Sequence, residues 1–169
     1  MRLCRSLLVL MLLSSAGQAS SEVLVGYAFV NGISGLNLEW AGQRNTVYAV
    51  PGTYLNDEGL SDKWRWVAGF RHRIDRGYTN INGFYTGLML GDLGGEKRYQ
   101  RLGAGFEIGH QWVKEYTRTT LSAGVAVLEP LDCGDYLAAS SCNTQEERDK
   151  NDLDAEPGLI LSLTISLRR

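Results

Sequence analysis

Apolar residues return at every second position along most of this chain, most plainly from 99 to 128, which reads YQRLGAGFEIGHQWV, KEYTR and TTLSAGVAVL. In the first arm Leu102, Ala104, Phe106, Ile108, His110 and Trp112 alternate with Arg101, Gly103, Gly105, Glu107, Gly109 and Gln111. In the second arm Leu121, Ala123, Val125 and Val127 fall on one face. Successive side chains of a β-strand point to opposite sides. A two-residue period therefore predicts strands, and the short polar link between the two runs predicts a hairpin.

The same period runs through the rest of the chain. Residues 22–29 set Val23, Val25, Tyr27 and Phe29 against Leu24, Gly26 and Ala28, and Asn31-Gly32 supplies the residues of a tight hairpin turn. A second strand, 33–41, carries Leu36, Leu38 and Trp40 opposite Gly35, Asn37 and Glu39. A third, 46–55, contains Pro51, which has no N–H for a ladder and predicts a bulge. After a polar loop at 56–62, a fourth strand at 63–74 sets Trp64, Trp66, Ala68, Phe70, His72 and Ile74 against Arg65, Val67, Gly69, Arg71 and Arg73. The fifth, 81–93, sets Phe84, Thr86, Leu88 and Leu90 against Gly83, Tyr85, Gly87, Met89 and Gly91. The eighth, 157–168, alternates Leu159, Leu161, Leu163, Ile165 and Leu167 with Ser162, Thr164 and Ser166. No helix of useful length competes with these strands.

An even number of strands joined by hairpins is what a closed meander needs, and closure removes the sheet edges that invite aggregation. The expected fold class is therefore all-β, an eight-stranded antiparallel up-and-down barrel. With eight strands the interior is just wide enough to be filled by side chains.

Period two alone does not say which face is inside. A soluble barrel of lipocalin type turns its apolar face inward, whereas a membrane barrel turns it outward. Here the less apolar face is rich in glycine interleaved with Arg, Glu and Gln, which suits a narrow lumen and would make a poor exposed sheet. Trp40, Trp64, Trp66 and Trp112 gather towards strand ends on the apolar face, the girdle positions of a membrane barrel. The links after strands two, four and six are expected to be short, and the connection before the eighth strand is by far the longest. Short turns on one side and longer loops on the other fit the periplasmic and outer sides of an outer-membrane barrel. The pattern thus predicts a transmembrane β-barrel with Trp40, Trp64, Trp66, Phe70, Leu102, Phe106, Ile108, Trp112, Leu161, Leu163 and Ile165 towards lipid. Its lumen receives Glu39, Arg65, Arg71, Arg73, Arg101, Glu107 and Gln111.

Residues 1–19 stand outside this pattern. Arg2 and Arg5, the apolar run 7–13 and the small residues before position 20 have the order of a secretory signal peptide, with cleavage expected after Ala19. The apolar run is too short for a membrane-spanning helix, and no other stretch approaches twenty apolar residues. The expected organisation is a leader, 1–19, followed by one barrel, 20–169. Losing Arg2 and Arg5 leaves 15 basic and 19 acidic residues, a net charge of −4, which speaks against nucleic acid as a partner. An exported chain retaining Cys133 and Cys142 is expected to join them in one disulfide. Both lie in the connection 130–156, an acidic surface loop whose eight carboxylates and two bases give a net charge of −6. Its spacing does not match a calcium-binding EF-hand loop. A basic partner or divalent cations are candidates for this loop, beside plain solvation.

The architecture resembles the small eight-stranded outer-membrane proteins of Gram-negative bacteria, such as outer-membrane protein X and the barrel domain of outer-membrane protein A. The resemblance covers residues 20–169 and is carried by Leu102-Gly103-Ala104-Gly105-Phe106-Glu107-Ile108-Gly109 and by the alternation from Leu159 to Leu167. It implies localisation to the outer membrane, outer-membrane lipid and lipopolysaccharide around the belt, and the outer-membrane assembly machinery as a partner. It implies no cofactor.

Candidate chemistry is sparse. Outer-membrane lipid deacylases present a His and a Ser two positions apart, with a carboxylate nearby. Here His72 is followed by Arg73-Ile74 and His110 by Gln111-Trp112. A lipid A-modifying hydrolase is thus the enzymatic alternative to a non-enzymatic envelope protein, with no catalytic residue to nominate. No cluster of metal-ligating spacing accompanies the two cysteines. The lumen charges must pair or meet water, because an unpaired buried charge is expensive. A structural polar plug is expected in preference to a porin-like ion path.

Overall fold

In the computed structural model, which describes residues 21–56, 59–75, 78–94, 100–131 and 154–168, the alternating segments form eight strands. They are β1 (Glu22–Val30), β2 (Ile33–Ala41), β3 (Asn45–Asn56), β4 (Gly59–Arg73), β5 (Gly83–Asp92), β6 (Leu102–Val113), β7 (Thr117–Leu128) and β8 (Glu156–Leu167). Each pairs antiparallel with its sequence neighbours, and β1 closes on β8 from Val25↔Leu167 to Val30↔Ser162. The fold is an all-β, closed up-and-down barrel, as the alternation predicts. Asn31 and Gly32 both have positive φ, 46° and 92°, the geometry of the two-residue turn whose twist matches a hairpin.

Element boundaries differ from expectation in three places. The polar loop expected at 56–62 is mostly strand, since β3 runs to Asn56, β4 starts at Gly59, and Leu55↔Leu60 and Asn56↔Gly59 extend the ladder. Polar side chains are no obstacle to pairing at a hairpin tip, where backbone hydrogen bonds alone hold the register. The bulge predicted by Pro51 falls two to four residues on, at Thr53/Leu55 against β4, while on the β2 side the register is the same before and after Pro51, at Gly35↔Gly52 and Leu38↔Ala49.

The second difference is the link after β4, which spans 74–82. Arg73 explains it, because its guanidinium donates to the carbonyls of Ile81 (2.8 Å) and Asn82 (2.9 Å) and so takes acceptors a longer β5 would use. Third, the link after β6 is only 114–116, closed by Lys114 N–H to Thr117 O at 2.8 Å, which leaves Arg118 inside β7. The expected alternation of link lengths therefore does not hold. The supposedly long-loop side carries two-residue links at 31–32 and 57–58, and the supposedly short side carries 74–82. The asymmetry rests on 93–101 and, above all, on 129–155.

The outward face is apolar on all eight strands. Trp64 is 76 % exposed, and Val25, Leu38, Val47, Leu88, Phe106, Val125 and Leu161 continue the belt around the wall. The lumen is not uniformly polar. Towards the 31–32 turn and the 129–155 connection it holds an apolar cluster that includes Ala28, Val30, Val50, Val67, Met89 and Ile160. Towards the outer ends of β1 and β8 it holds buried Asn37, Glu39, Arg71, Glu107, Arg118, Thr120 and Thr164. These will be called the loop half and the terminal half.

Candidate functional site

The terminal half of the lumen is built by alternate inward positions on β2 to β8. Glu107 on β6 accepts from Arg71 Nε (2.9 Å) and the Tyr48 hydroxyl (3.0 Å) through Oε1, and from Ser122 Oγ (2.5 Å) through Oε2. Glu39 on β2 is paired with Arg118 through Oε2. Its Oε1 accepts from Asn37 Nδ2 (2.5 Å) and Ser166 Oγ (3.0 Å), with Arg71 Nη1 4.0 Å away. Hydroxyl pairs Thr120–Thr164 (2.5 Å) and Ser122–Ser162 (2.6 Å) tie β7 to β8 across the floor of this cluster. Two carboxylates thus face two guanidiniums, so the cluster has no net charge.

Register explains how such large groups fit. Arg71 lies between two tyrosines, 4.0 Å from the centre of the Tyr48 ring and 5.0 Å from that of Tyr85. Each ring in turn lies across a glycine on the adjoining strand, Tyr48 opposite Gly69 and Tyr85 opposite Gly109. A Cβ at Gly69 would stand 2.5 Å from the Tyr48 ring, and one at Gly109 would stand 2.6 Å from that of Tyr85. The glycines are the floor on which the rings lie, and the rings hold the arginine by stacking and cation–π attraction.

Both ends of the lumen are occupied. At the terminal end Thr79, in the link after β4, is buried over the lumen. The Thr79 carbonyl accepts from Gln111 Nε2 (2.7 Å) and Arg118 Nη1 (3.3 Å), while its own N–H donates to Gln43 O (2.8 Å). Arg73 pairs there with Asp75 at 2.8 Å. At the loop end Arg65 pairs with Asp92 (2.6 Å), whose other oxygen accepts from the Arg101 N–H (3.2 Å). The Arg101 guanidinium spans both roots of the long connection, donating to Glu129 O (2.9 Å), Asp154 O (2.5 Å) and the Glu156 carboxylate. Across the same mouth, Asn31 Nδ2 reaches Leu93 O at 2.7 Å, and Leu93 is fully buried.

The seven polar residues nominated from sequence are therefore all buried but do not form one network. Glu39, Arg71 and Glu107 share the centre, Arg73 and Gln111 secure the terminal end, and Arg65 and Arg101 lie beyond the apolar cluster at the loop end. Of the belt residues, Trp40, Trp64, Trp66, Leu102, Phe106, Ile108, Trp112, Leu161, Leu163 and Ile165 are exposed on the outer wall, and Phe70 is half-buried there. Cys133 and Cys142 lie outside the described residues, as does most of the acidic connection. Sequence reasoning placed Asn37, Tyr85, Ser162 and Thr164 on the less apolar face without nominating them, and it missed Tyr48, Arg118, Thr120 and Ser122. For the last three the signal was the continued alternation of 118, 120 and 122 on one face of β7.

The two histidines sit on the outer wall near the terminal end. His72 Nδ1 is 2.7 Å from Asn45 Oδ1, and His110 packs between Phe84 and Trp112, with ring centres 4.7 and 4.6 Å away. Among the described residues, no three His, Cys, Asp or Glu side chains gather as a metal site would require. No family model, curated protein or solved structure matches the chain.

Proposed function

We propose that this chain is a non-enzymatic outer-membrane β-barrel protein with a structural or surface-interaction role in the cell envelope. The observation that carries the reading is the continuous apolar outer wall around an interior that is itself filled. A monomer in water rarely exposes a contiguous apolar patch beyond a few hundred Å². A strand-built wall in lipid meets no such limit, because closure satisfies every ladder internally. A soluble lipocalin-like ligand binder would have the opposite arrangement, with its large apolar side chains turned inward.

In this reading residues 1–19 direct export, and outer-membrane lipid and lipopolysaccharide cover the belt. The outer-membrane assembly machinery inserts the barrel, and a Cys133–Cys142 disulfide closes a small ring in the surface loop. The loop's carboxylates make it the surface open to a partner. The filled lumen favours a structural role over a porin-like one. The histidines favour the non-enzymatic reading over a lipid A-modifying hydrolase, since His72 is engaged with an asparagine and His110 with two aromatic rings.

Cell fractionation followed by gel electrophoresis with and without heating tests the reading. Recovery in the outer membrane with a heat-dependent mobility shift is expected. Recovery as a soluble periplasmic protein overturns it. In the same cells, a lipid A acyl pattern that changes with expression and reverts on replacing His72 and His110 would establish the hydrolase instead.

A further inference from the structure

Four polar atoms deep in the terminal half have no hydrogen-bond partner: Asn37 Oδ1, Arg71 Nη2, Arg118 Nε and the Tyr85 hydroxyl. The residues are 0 %, 4 %, 1 % and 1 % exposed. The first three belong to groups already gathered on Glu39, through the Asn37 Nδ2 bond, the Arg118 pair and the Arg71 approach described above. The orientation of Asn37 is fixed by chemistry. A carboxylate accepts only, so it must face the amide nitrogen, and Oδ1 is left as an acceptor in want of a donor.

Buried polar groups of native proteins are satisfied by protein or by ordered water. What remains around Glu39 is two donors and one acceptor, in a cluster whose two carboxylates balance its two guanidiniums. An anion would use the donors and repel the acceptor, and a cation the reverse. A ligand that both donates and accepts, carries no charge and fits a narrow lumen satisfies all three. We propose that the terminal half of the barrel is a water-binding site centred on Glu39, and that the lumen is hydrated from the terminal end alone.

An opening to solvent lies at that end. A cavity of about 430 Å³ opens there between Glu22, Gln43, Tyr78, Thr79, Asn80 and Arg168. Thr79 is its inner wall, and the Thr79 carbonyl is the acceptor that holds Arg118. In the other direction Val50, Val67, Met89 and Ile160 close the lumen with apolar surface, which offers water no partners and stays dry. The barrel is thus wet in one half and sealed in the other.

Hydroxyl-radical footprinting of the full-length protein in detergent micelles tests this, because radicals formed from bound water oxidise buried side chains beside it. Tyr48 and Tyr85, which flank Arg71, are expected to be oxidised, whereas Met89, by nature the more reactive side chain, is expected to be protected. Asn37→Leu removes the orphan acceptor and is expected to lower Tyr48 and Tyr85 oxidation several-fold, with the exposed Tyr78 unchanged. If that variant fails to fold, the contrast between the two tyrosines and Met89 in the unaltered protein still decides. Tyrosines as protected as Met89, or Met89 oxidised beside them, overturn the proposal. So does an anomalous bromide peak at Arg118 in crystals grown with bromide, which would make the site an anion site.

Discussion

The two halves of the lumen occupy the same barrel and the same strands, yet they are held together by different physics. In the loop half, Val50, Val67, Met89 and Ile160 touch one another without direction, and each contributes in proportion to the apolar surface it removes from water. In the terminal half the buried charges depend on named partners. Glu107 alone serves Arg71, Tyr48 and Ser122. A buried ion pair adds little net stability over well-packed apolar residues, but removing one member leaves an uncompensated charge. The apolar half should thus lose stability piecemeal, and the polar half should lose it in blocks.

Arg118 gives the largest expected effect. Arg118→Met strands the Glu39 carboxylate, which keeps only neutral donors and Arg71 at 4.0 Å. It also releases one donor from the Thr79 carbonyl that caps the terminal end. A loss of about 3–5 kcal/mol is expected in urea unfolding of the barrel in vesicles or micelles. Adding Glu39→Leu to that variant should restore part of the loss, because the stranded charge is gone. A double variant that loses the full sum of the two singles would show that the pair acts as two independent groups, and the contrast between the halves would fail.

Ile160→Ala probes the other half. Ile160 is 1 % exposed and lies within the apolar cluster, so the expected cost is that of a lost side chain plus its cavity, about 2–4 kcal/mol in the same assay. No second substitution that merely removes a partner should rescue it; only a larger side chain filling the cavity should.

The alternation made all eight strands legible, because side-chain period is a local property of a strand, and the outward direction of the apolar faces was legible from the glycine and charge on the opposite face. What it hid is set by register. Arg118 sits in a polar run, KEYTR, that reads as a link, and only the tight turn at 114–116 places it at the start of β7. Tyr48 and Tyr85 become an arginine cradle because Gly69 and Gly109 fall opposite them, and those pairings depend on the register of each strand on the next. The division into halves is of the same kind. Val67 and Met89 were visible as inward positions, but the common height they share with Val50 and Ile160 follows from how each strand is staggered on the next.

The smallest expected effect comes from an ion pair with the same chemistry in a wetter place. Arg168 Nε donates to Glu22 at 3.0 Å, with side chains 22 % and 26 % exposed, at the outer ends of the two strands whose pairing closes the barrel. Solvent screens both charges and competes for both, so Arg168→Ala is expected to cost about 0.2–1 kcal/mol, well under the Arg118 variant. The pair also lies at the β1–β8 junction, which makes the result informative in either direction. A small loss, with the heat-dependent gel shift intact, shows that burial rather than charge pairing sets the cost of breaking an ion pair in this barrel. A loss approaching that of Arg118→Met shows instead that the junction depends on this contact to stay shut, and closure would then rank with the lumen network as a determinant of stability.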